Sequence, residues 1–322
     1  MRKFVKKSFI YIIVISICSV LLSVIVDPYN IYHYKNVRMT TGETNSRYVK
    51  TKYILSNPSK FDSFIFGSSR VGYIHTEQLN NEDMHWYNMT YPNGILPEIK
   101  ETIRTFINHD IIPKNVLIGI DAVDGNNEKE HIGDLLRKPY PTNVKDMISF
   151  YLSYLNPAIS IEALFELEKL ENSEEAREKF YEYGGIYKEG IKSDSWGAWS
   201  VSGIVPVTEM SQRIYDSLEV IEEISQMCEE NNINLILFTT PLYASRYLDV
   251  FEQGYPLYIR EIAKIHDIYS FSGINSINTN QFNYWEEEHF DSNVGNMILQ
   301  RIFTPEEFDP SLLEEGFGVL VS

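Results

Sequence analysis

Cysteine is nearly absent: the 322 residues contain two, Cys18 and Cys228. The first lies in an apolar run near the start and the second in the polar, helix-patterned segment SQMCEENN. No disulfide between them is expected, so the chain must be held by its core alone. Basic residues are also scarce. Net charge is −17, and four positive charges (Arg2, Lys3, Lys6, Lys7) fall in the first seven residues, leaving 24 basic against 45 acidic residues elsewhere. Such a surface repels phosphate backbones, which excludes nucleic acid as a partner. No G-x-S-x-G elbow is present, because Val71 stands where its second glycine would be. A phosphate-binding glycine loop, a dinucleotide fingerprint and an H-E-x-x-H pair are missing too, so no cofactor is expected. The histidines at 33, 75, 85, 109, 131 and 266 show no ligand spacing, and Asp121 and Asp124 have no clustered histidine or cysteine beside them. No metal site is expected. Internal repeats and low-complexity tracts are lacking.

Charge is absent altogether from Phe9 to Val26 (FIYIIVISICSVLLSVIV). As a helix this run spans about 27 Å, close to the hydrocarbon thickness of a bilayer. Its β-branched residues are no obstacle, since lipid offers the backbone nothing better than a helix. The basic residues precede the run and Asp27-Pro28 ends it. The positive-inside rule then keeps the N-terminus cytoplasmic and everything after Asp27 outside. A cleaved signal peptide is the competing reading, but the run exceeds a usual h-region, no A-x-A-like site follows, and Ile17 before Cys18 does not suit a lipoprotein site. The expected organisation is a basic tail (1–7), a transmembrane anchor (8–26), a tether (27–60) and a globular domain (61–322).

Short apolar runs bounded by turn residues follow: SFIFG (63–67), the weaker MHWYNM (84–89), NVLIGID (115–121), INLILFTT (233–240) and IYSFSG (268–273). Between them lie helical patterns, such as LPEIKETIRTFINH with Ile99, Ile103 and Phe106 in phase, the segment from Val207 to Asn231, and a last helix over 293–303. Alternating strand and helix predicts an α/β fold: a doubly wound, flavodoxin-like parallel sheet of about five strands with helices on both faces. Working residues in such sheets sit at the carboxyl ends of strands. After the third strand the pattern breaks, and 126–205 reads as a helical, aromatic insertion. Its rings (Tyr140, Tyr151, Tyr154, Tyr181, Tyr183, Tyr187, Trp196, Trp199) stack on sugars or form the insertion's own core; the second role suits most of them, with Trp196 and Trp199 left as substrate-binding candidates.

Two segments carry candidate chemistry. In FGSSRVG (66–72) a strand ends at Gly67 and two serines open a turn into a helix, which exposes a hydroxyl beside backbone N–H groups. A serine-capped turn of no further consequence has the same appearance. In NYWEEEHFDSNVG (283–295), His289 stands three residues after Glu286 and just before a helix. A carboxylate there would hold one ring nitrogen and leave the other to accept a proton. Acidic runs beside a histidine are also ordinary solvated surface.

Taken together these segments resemble the SGNH hydrolase superfamily, and within it the membrane-anchored proteins that acylate cell-wall polymers and exopolysaccharides, such as the D-alanyl transfer proteins of teichoic acids and the acetylation proteins of alginate. The resemblance covers about 61–303, and the DPYN after the anchor belongs to the same likeness. It implies that the second serine of Gly-Ser-Ser, Ser69, is the nucleophile. His289 would be its base, and Glu286 stands where aspartate is usual. Where the family's second block has Asn-x-Gly, this chain has Asn88-Met89-Thr90, and the oxyanion donors would be Ser69, Asn93 and Gly94. Where the third block ends in asparagine, this chain has Asp121, which cannot donate when ionised. Asp121 therefore takes another part, such as holding a loop or meeting substrate. Arg70 pairs either with a substrate charge or with Asp121 or Asp124. Asn88-Met89-Thr90 is formally a glycosylation sequon, but its place at a strand end argues against use.

The resemblance further implies acyl transfer, most readily of acetyl, to a cell-envelope or secreted polysaccharide, with a multi-pass membrane acyltransferase as donor partner. A surface esterase with water as acceptor uses the same residues. A catalytically inactive assembly component that keeps the fold is the third reading.

Overall fold

The computed structural model describes residues 2–33, 44–122, 134–165, 174–187, 190–203, 205, 207, 209 and 211–322. In chain order its elements are α1 (Arg2–Val26), α2 (Ser46–Ser56), β1 (Ser63–Phe66), β2 (Trp86–Asn88), α3 (Leu96–Ile107), β3 (Asn115–Ile120), α4 (Val144–Ser153), α5 (Pro157–Phe165), α6 (Glu174–Tyr183), α7 (Gln212–Glu230), β4 (Asn234–Thr239), α8 (Ala244–Phe251), α9 (Tyr255–Ala263), β5 (Ile268–Ser270), β6 (Tyr284–Glu286), β7 (His289–Phe290), α10 (Ser292–Phe303), α11 (Ser311–Glu314) and β8 (Val319–Val321). The chain forms two compact units, Met1–Tyr53 with Ile132–Asn172, and Ile54–His131 with Ser173–Ser322. The expected tether and the expected insertion are each divided between them.

The first unit is built on α1, a helix long and apolar enough to cross a membrane. Asp27 ends it with a positive φ of 46°. The buried Asp27 carboxylate accepts N–H groups from Ile31 (2.8 Å), Tyr32 (2.9 Å) and His33 (2.7 Å), which folds DPYN into a tight cap. Burial outweighs those bonds and raises the pKa of Asp27 above the carboxylate norm. Beyond the cap an aromatic cluster takes over. Tyr48 packs on Phe150 with ring centroids 4.5 Å apart, and its hydroxyl meets that of Tyr151 at 2.8 Å.

The second unit is an α/β domain around a six-stranded sheet of order β2-β1-β3-β4-β5-β8. The first five strands pair in parallel, and β8 pairs antiparallel to β5 at the edge. β1 (SFIF) is buried throughout, as suits a strand covered on both faces. Helix α3 buries Ile99, Ile103 and Phe106, the last against Phe64 at 4.9 Å between centroids. α7 buries Ile214, Ile221, Ile224 and Cys228, and burial pushes the Cys228 thiol up to about 11. The antiparallel sixth strand departs from the expected purely parallel arrangement. At three residues, VLV carries too little periodicity to be read as a strand from sequence.

Candidate active site

β1 delivers the chain to the carboxyl rim of the sheet, where Gly67 leads into a single 3-10 turn, Ser69–Tyr73. The two serines then divide their work. Ser68 caps the turn, its Oγ accepting the Arg70 N–H at 3.3 Å. Ser69 is the first residue inside the turn, where an N–H has no acceptor within its own helix. Its hydroxyl lies 2.8 Å from His289 Nε2, a pairing across 220 residues of chain.

That approach has a structural cause. His289 sits on β7, half of a small hairpin with β6, and Asp291 immediately caps α10 by accepting the N–H groups of Asn293 (3.0 Å) and Val294 (3.2 Å). Gly295 in the first turn of α10 lies against the carbonyl of Tyr73 so closely that an added Cβ would stand 2.7 Å from that oxygen. Helix α10 is thereby seated on the turn that carries Ser69, which brings His289 over the serine.

His289 Nδ1 hydrogen-bonds Glu286 Oε1, and Glu286 Oε2 accepts the Glu288 N–H at 3.0 Å. Burial raises the Glu286 pKa, but the hydrogen bonds from His289 and the Glu288 N–H outweigh it, and the carboxyl is held below its usual range. An ionised carboxylate only accepts, so Nδ1 carries the ring proton and Nε2 faces Ser69 as an acceptor. A serine hydroxyl, a ring nitrogen able to take its proton, and a carboxylate orienting the ring form an arrangement suited to nucleophilic catalysis.

Arg70 does not face an open space. Its Nη1 lies 2.9 Å from Asp121 Oδ2 and its Nη2 2.6 Å from Glu288 Oε2. Burial would depress its pKa, but the two carboxylates raise it further above the guanidinium norm. Asp121, expected among the substrate-binding residues, is only 3% exposed and turned inward, with Thr240 donating to Oδ1 at 2.8 Å. It anchors Arg70. Asp124 lies outside the described residues. Glu288 also accepts from Arg246 Nε at 2.8 Å, so the residue before His289 is clamped by two guanidinium groups. Sequence reading missed Glu288 and Arg246; nothing in EEEH distinguishes Glu288 from its neighbours.

Of the expected oxyanion donors, Gly94 lies against the loop before Ser69: an added Cβ would be 2.7 Å from the Gly67 carbonyl oxygen. Its N–H closes a turn onto Tyr91 O at 3.2 Å, with Asn93 at positive φ of 51° inside that turn. The Thr90 N–H goes to Asn88 Oδ1 (2.9 Å), while its hydroxyl donates to Ser68 O at 2.5 Å and holds the serine loop down. Asn88 is wholly buried, its amide donating to Val71 O (2.8 Å) and Ile74 O (3.0 Å), so the formal sequon is inaccessible.

Trp196 packs edge-on against Tyr243, centroids 4.7 Å apart, whereas Trp199 is exposed. The segment around them lies on the hairpin: Ser193 N–H donates to Trp285 O at 2.7 Å and Gly197 N–H to Glu287 Oε1. Among the described residues no group of three or more His, Cys, Asp and Glu side chains is placed to hold a metal ion.

Comparison with known proteins finds no matching family model, no matching curated protein and no matching solved structure.

Proposed function

We propose that this chain is a membrane-anchored serine enzyme of the SGNH type that transfers an acyl group, acetyl foremost, to hydroxyls of a cell-envelope or secreted polysaccharide. The observation that carries the proposal is the Ser69 Oγ at 2.8 Å from His289 Nε2, with Glu286 behind the ring. The mostly parallel sheet supports it, because such sheets carry their working residues at the carboxyl ends of strands and Ser69 follows the end of β1. The basic residues in the first two turns of α1, ahead of its apolar run, support a cytoplasmic N-terminus and a catalytic domain outside.

In this reading Ser69 Oγ attacks the carbonyl carbon of a donor ester as His289 Nε2 takes its proton, and Glu286 stabilises the imidazolium. The tetrahedral oxyanion is met by the Ser69 N–H and by the Asn93 N–H, not by that of Gly94, which is already given to Tyr91 O; each donor is worth about 3 kcal/mol of barrier. Collapse expels the donor alcohol with the proton from His289 and leaves Ser69 acylated. A sugar hydroxyl, deprotonated by His289, then takes the acyl group and restores the serine. The donor is delivered across the membrane by a multi-pass acyltransferase beside α1.

Hydrolysis is the second reading, and one observation favours it: the His289 and Glu286 side chains are 30% and 42% exposed, so water reaches the base. Full-length protein in detergent, given an acetyl ester with and without oligosaccharide, separates the two. Transfer predicts acetylated sugar at the expense of free acetate; ester loss indifferent to sugar favours the esterase. A fluorophosphonate should label Ser69, and Ser69→Ala should abolish labelling with the fold intact. A native protein that resists labelling leaves the inactive assembly component as the better description.

A further inference from the structure

Helix α4 has two apolar sides, and the protein itself uses one. Phe150 points inward, packed on Tyr48 and on Tyr154 at 4.5 and 5.0 Å between centroids. Val144, Met147, Ile148 and Leu152 recur at three- and four-residue spacing on another side and stand exposed, Ile148 at 58% and Leu152 at 60%. Lys145, Asp146 and Ser149 make up the polar side. Helix α5 repeats the arrangement, burying Ser160 and Ala163 while Ile161, Leu164 and Phe165 are exposed, Phe165 at 84%. Soluble surfaces rarely leave such apolar stripes uncovered, whereas helices lying in a membrane interface present this combination of sides.

Both helices are fixed at the level where α1 ends. α5 packs against α1, whose buried residues, Ser23 and Val26, lie in its last turn. Small residues on both helices permit a close approach of the kind found between helices in lipid. α4 is fastened just past that end: the Tyr32 hydroxyl donates to Tyr151 O at 2.8 Å, their rings stack at 5.8 Å, and Tyr29 meets Tyr154 edge-on at 5.4 Å. Tyrosines gathered at one end of an apolar helix match the aromatic belt at a membrane surface.

We infer that α4 and α5 lie in the outer leaflet's headgroup region with their exposed apolar sides in the lipid, mooring this unit by three helices instead of one. The inference rests on reading α1 as a membrane anchor. The occupant of the exposed stripe is lipid.

The test uses the full chain carrying Cys18→Ser and Cys228→Ala, reconstituted in phosphatidylcholine and phosphatidylglycerol vesicles. A single cysteine is introduced by Ile148→Cys, Phe165→Cys, Ser149→Cys or Ile15→Cys and labelled with nitrobenzoxadiazole. An interfacial helix buries its apolar side about 5–10 Å deep, so labels at 148 and 165 should shift to the blue and be quenched by lipid spin-labelled near the headgroup. The label at 149 should stay water-like. A blue-shifted label at 15 beside water-like labels at 148 and 165 overturns the inference alone. A water-like label at 15 overturns the anchor reading and the inference with it. A blue shift at 148 that ignores spin-labelled lipid and grows with protein density assigns the stripe to a second copy, and also overturns it.

Discussion

Replacing Glu286 by glutamine tests the candidate triad most sharply, because both carboxylate oxygens are occupied by donors. Oε1 accepts from His289 Nδ1 and Oε2 from the Glu288 N–H at 3.0 Å. A glutamine has one acceptor oxygen and one NH2 in the same two places. The Glu288 amide is an obligatory donor, so the glutamine oxygen turns to it and the NH2 faces Nδ1. Nδ1 must then accept, the ring proton moves to Nε2, and the nitrogen 2.8 Å from Ser69 Oγ no longer takes a proton. Enforcing the wrong tautomer in this way costs about 10⁴-fold in kcat, or about 5.5 kcal/mol of barrier. The assay is acyl-enzyme burst kinetics on a chromogenic acetyl ester, with fluorophosphonate labelling as a second rate. Since Glu286 is substantially exposed, thermal stability should move by less than about 1 kcal/mol. A Glu286→Gln rate within about tenfold of native, with the fold intact, would refute the tautomer argument and remove Glu286 from the triad.

Gly94→Ala places a methyl against the Gly67 backbone at 2.7 Å, where nothing flexible yields. It should displace the serine loop, lower acyl-enzyme formation and cost about 1–3 kcal/mol in thermal unfolding. Arg70→Met strips the buried Asp121 of the guanidinium facing it and should cost about 3–5 kcal/mol, largely recovered in the double variant Arg70→Met/Asp121→Leu; a single variant as stable as native contradicts the anchoring role. Burial opposes ionisation of Asp62, but Lys114, the His85 N–H and the Ser63 hydroxyl outweigh it and hold its pKa down, as Glu286 is held down. Both therefore stabilise the fold above about pH 4, and that contribution fades as pH falls through their lower folded values. The melting temperature should drop below about pH 4, less steeply in Asp62→Asn.

What could be read from sequence follows from where the physics is local. β1, β3 and β4 announce themselves because a strand buried on both faces is a continuous apolar run, and α1 because its apolar run is unbroken over a length that could cross a membrane. β8 is three residues long and paired only along one edge, so its strand character comes from β5. The split of the chain into two units was not legible either. It depends on tyrosines far apart in sequence, such as Tyr48 and Tyr151, finding one another, and aromatic residues in an insertion carry no marker of their partner. At the site, Ser69 and His289 were singled out by the resemblance that their two segments carry together, since each segment alone also reads as an ordinary turn or solvated surface. The Arg70–Glu288 pair spans 218 residues, with no spacing rule to suggest it.

The three consecutive glutamates show how position on a hairpin, not residue type, assigns chemistry. Glu286 turns to the His289 ring, Glu287 to the Gly197 N–H, and Glu288 to Arg70 and Arg246. The last contact matters for the first, because Arg70 is bonded to Ser69 and Glu288 to His289. One ion pair therefore ties together the neighbours of Ser69 and His289, and helps fix the separation of that hydroxyl and that ring. Asp121 completes this by holding Arg70 through its other terminal nitrogen, at 2.9 Å. Its charge is spent on positioning Arg70, and in the proposed reaction the developing oxyanion would be left to backbone N–H groups.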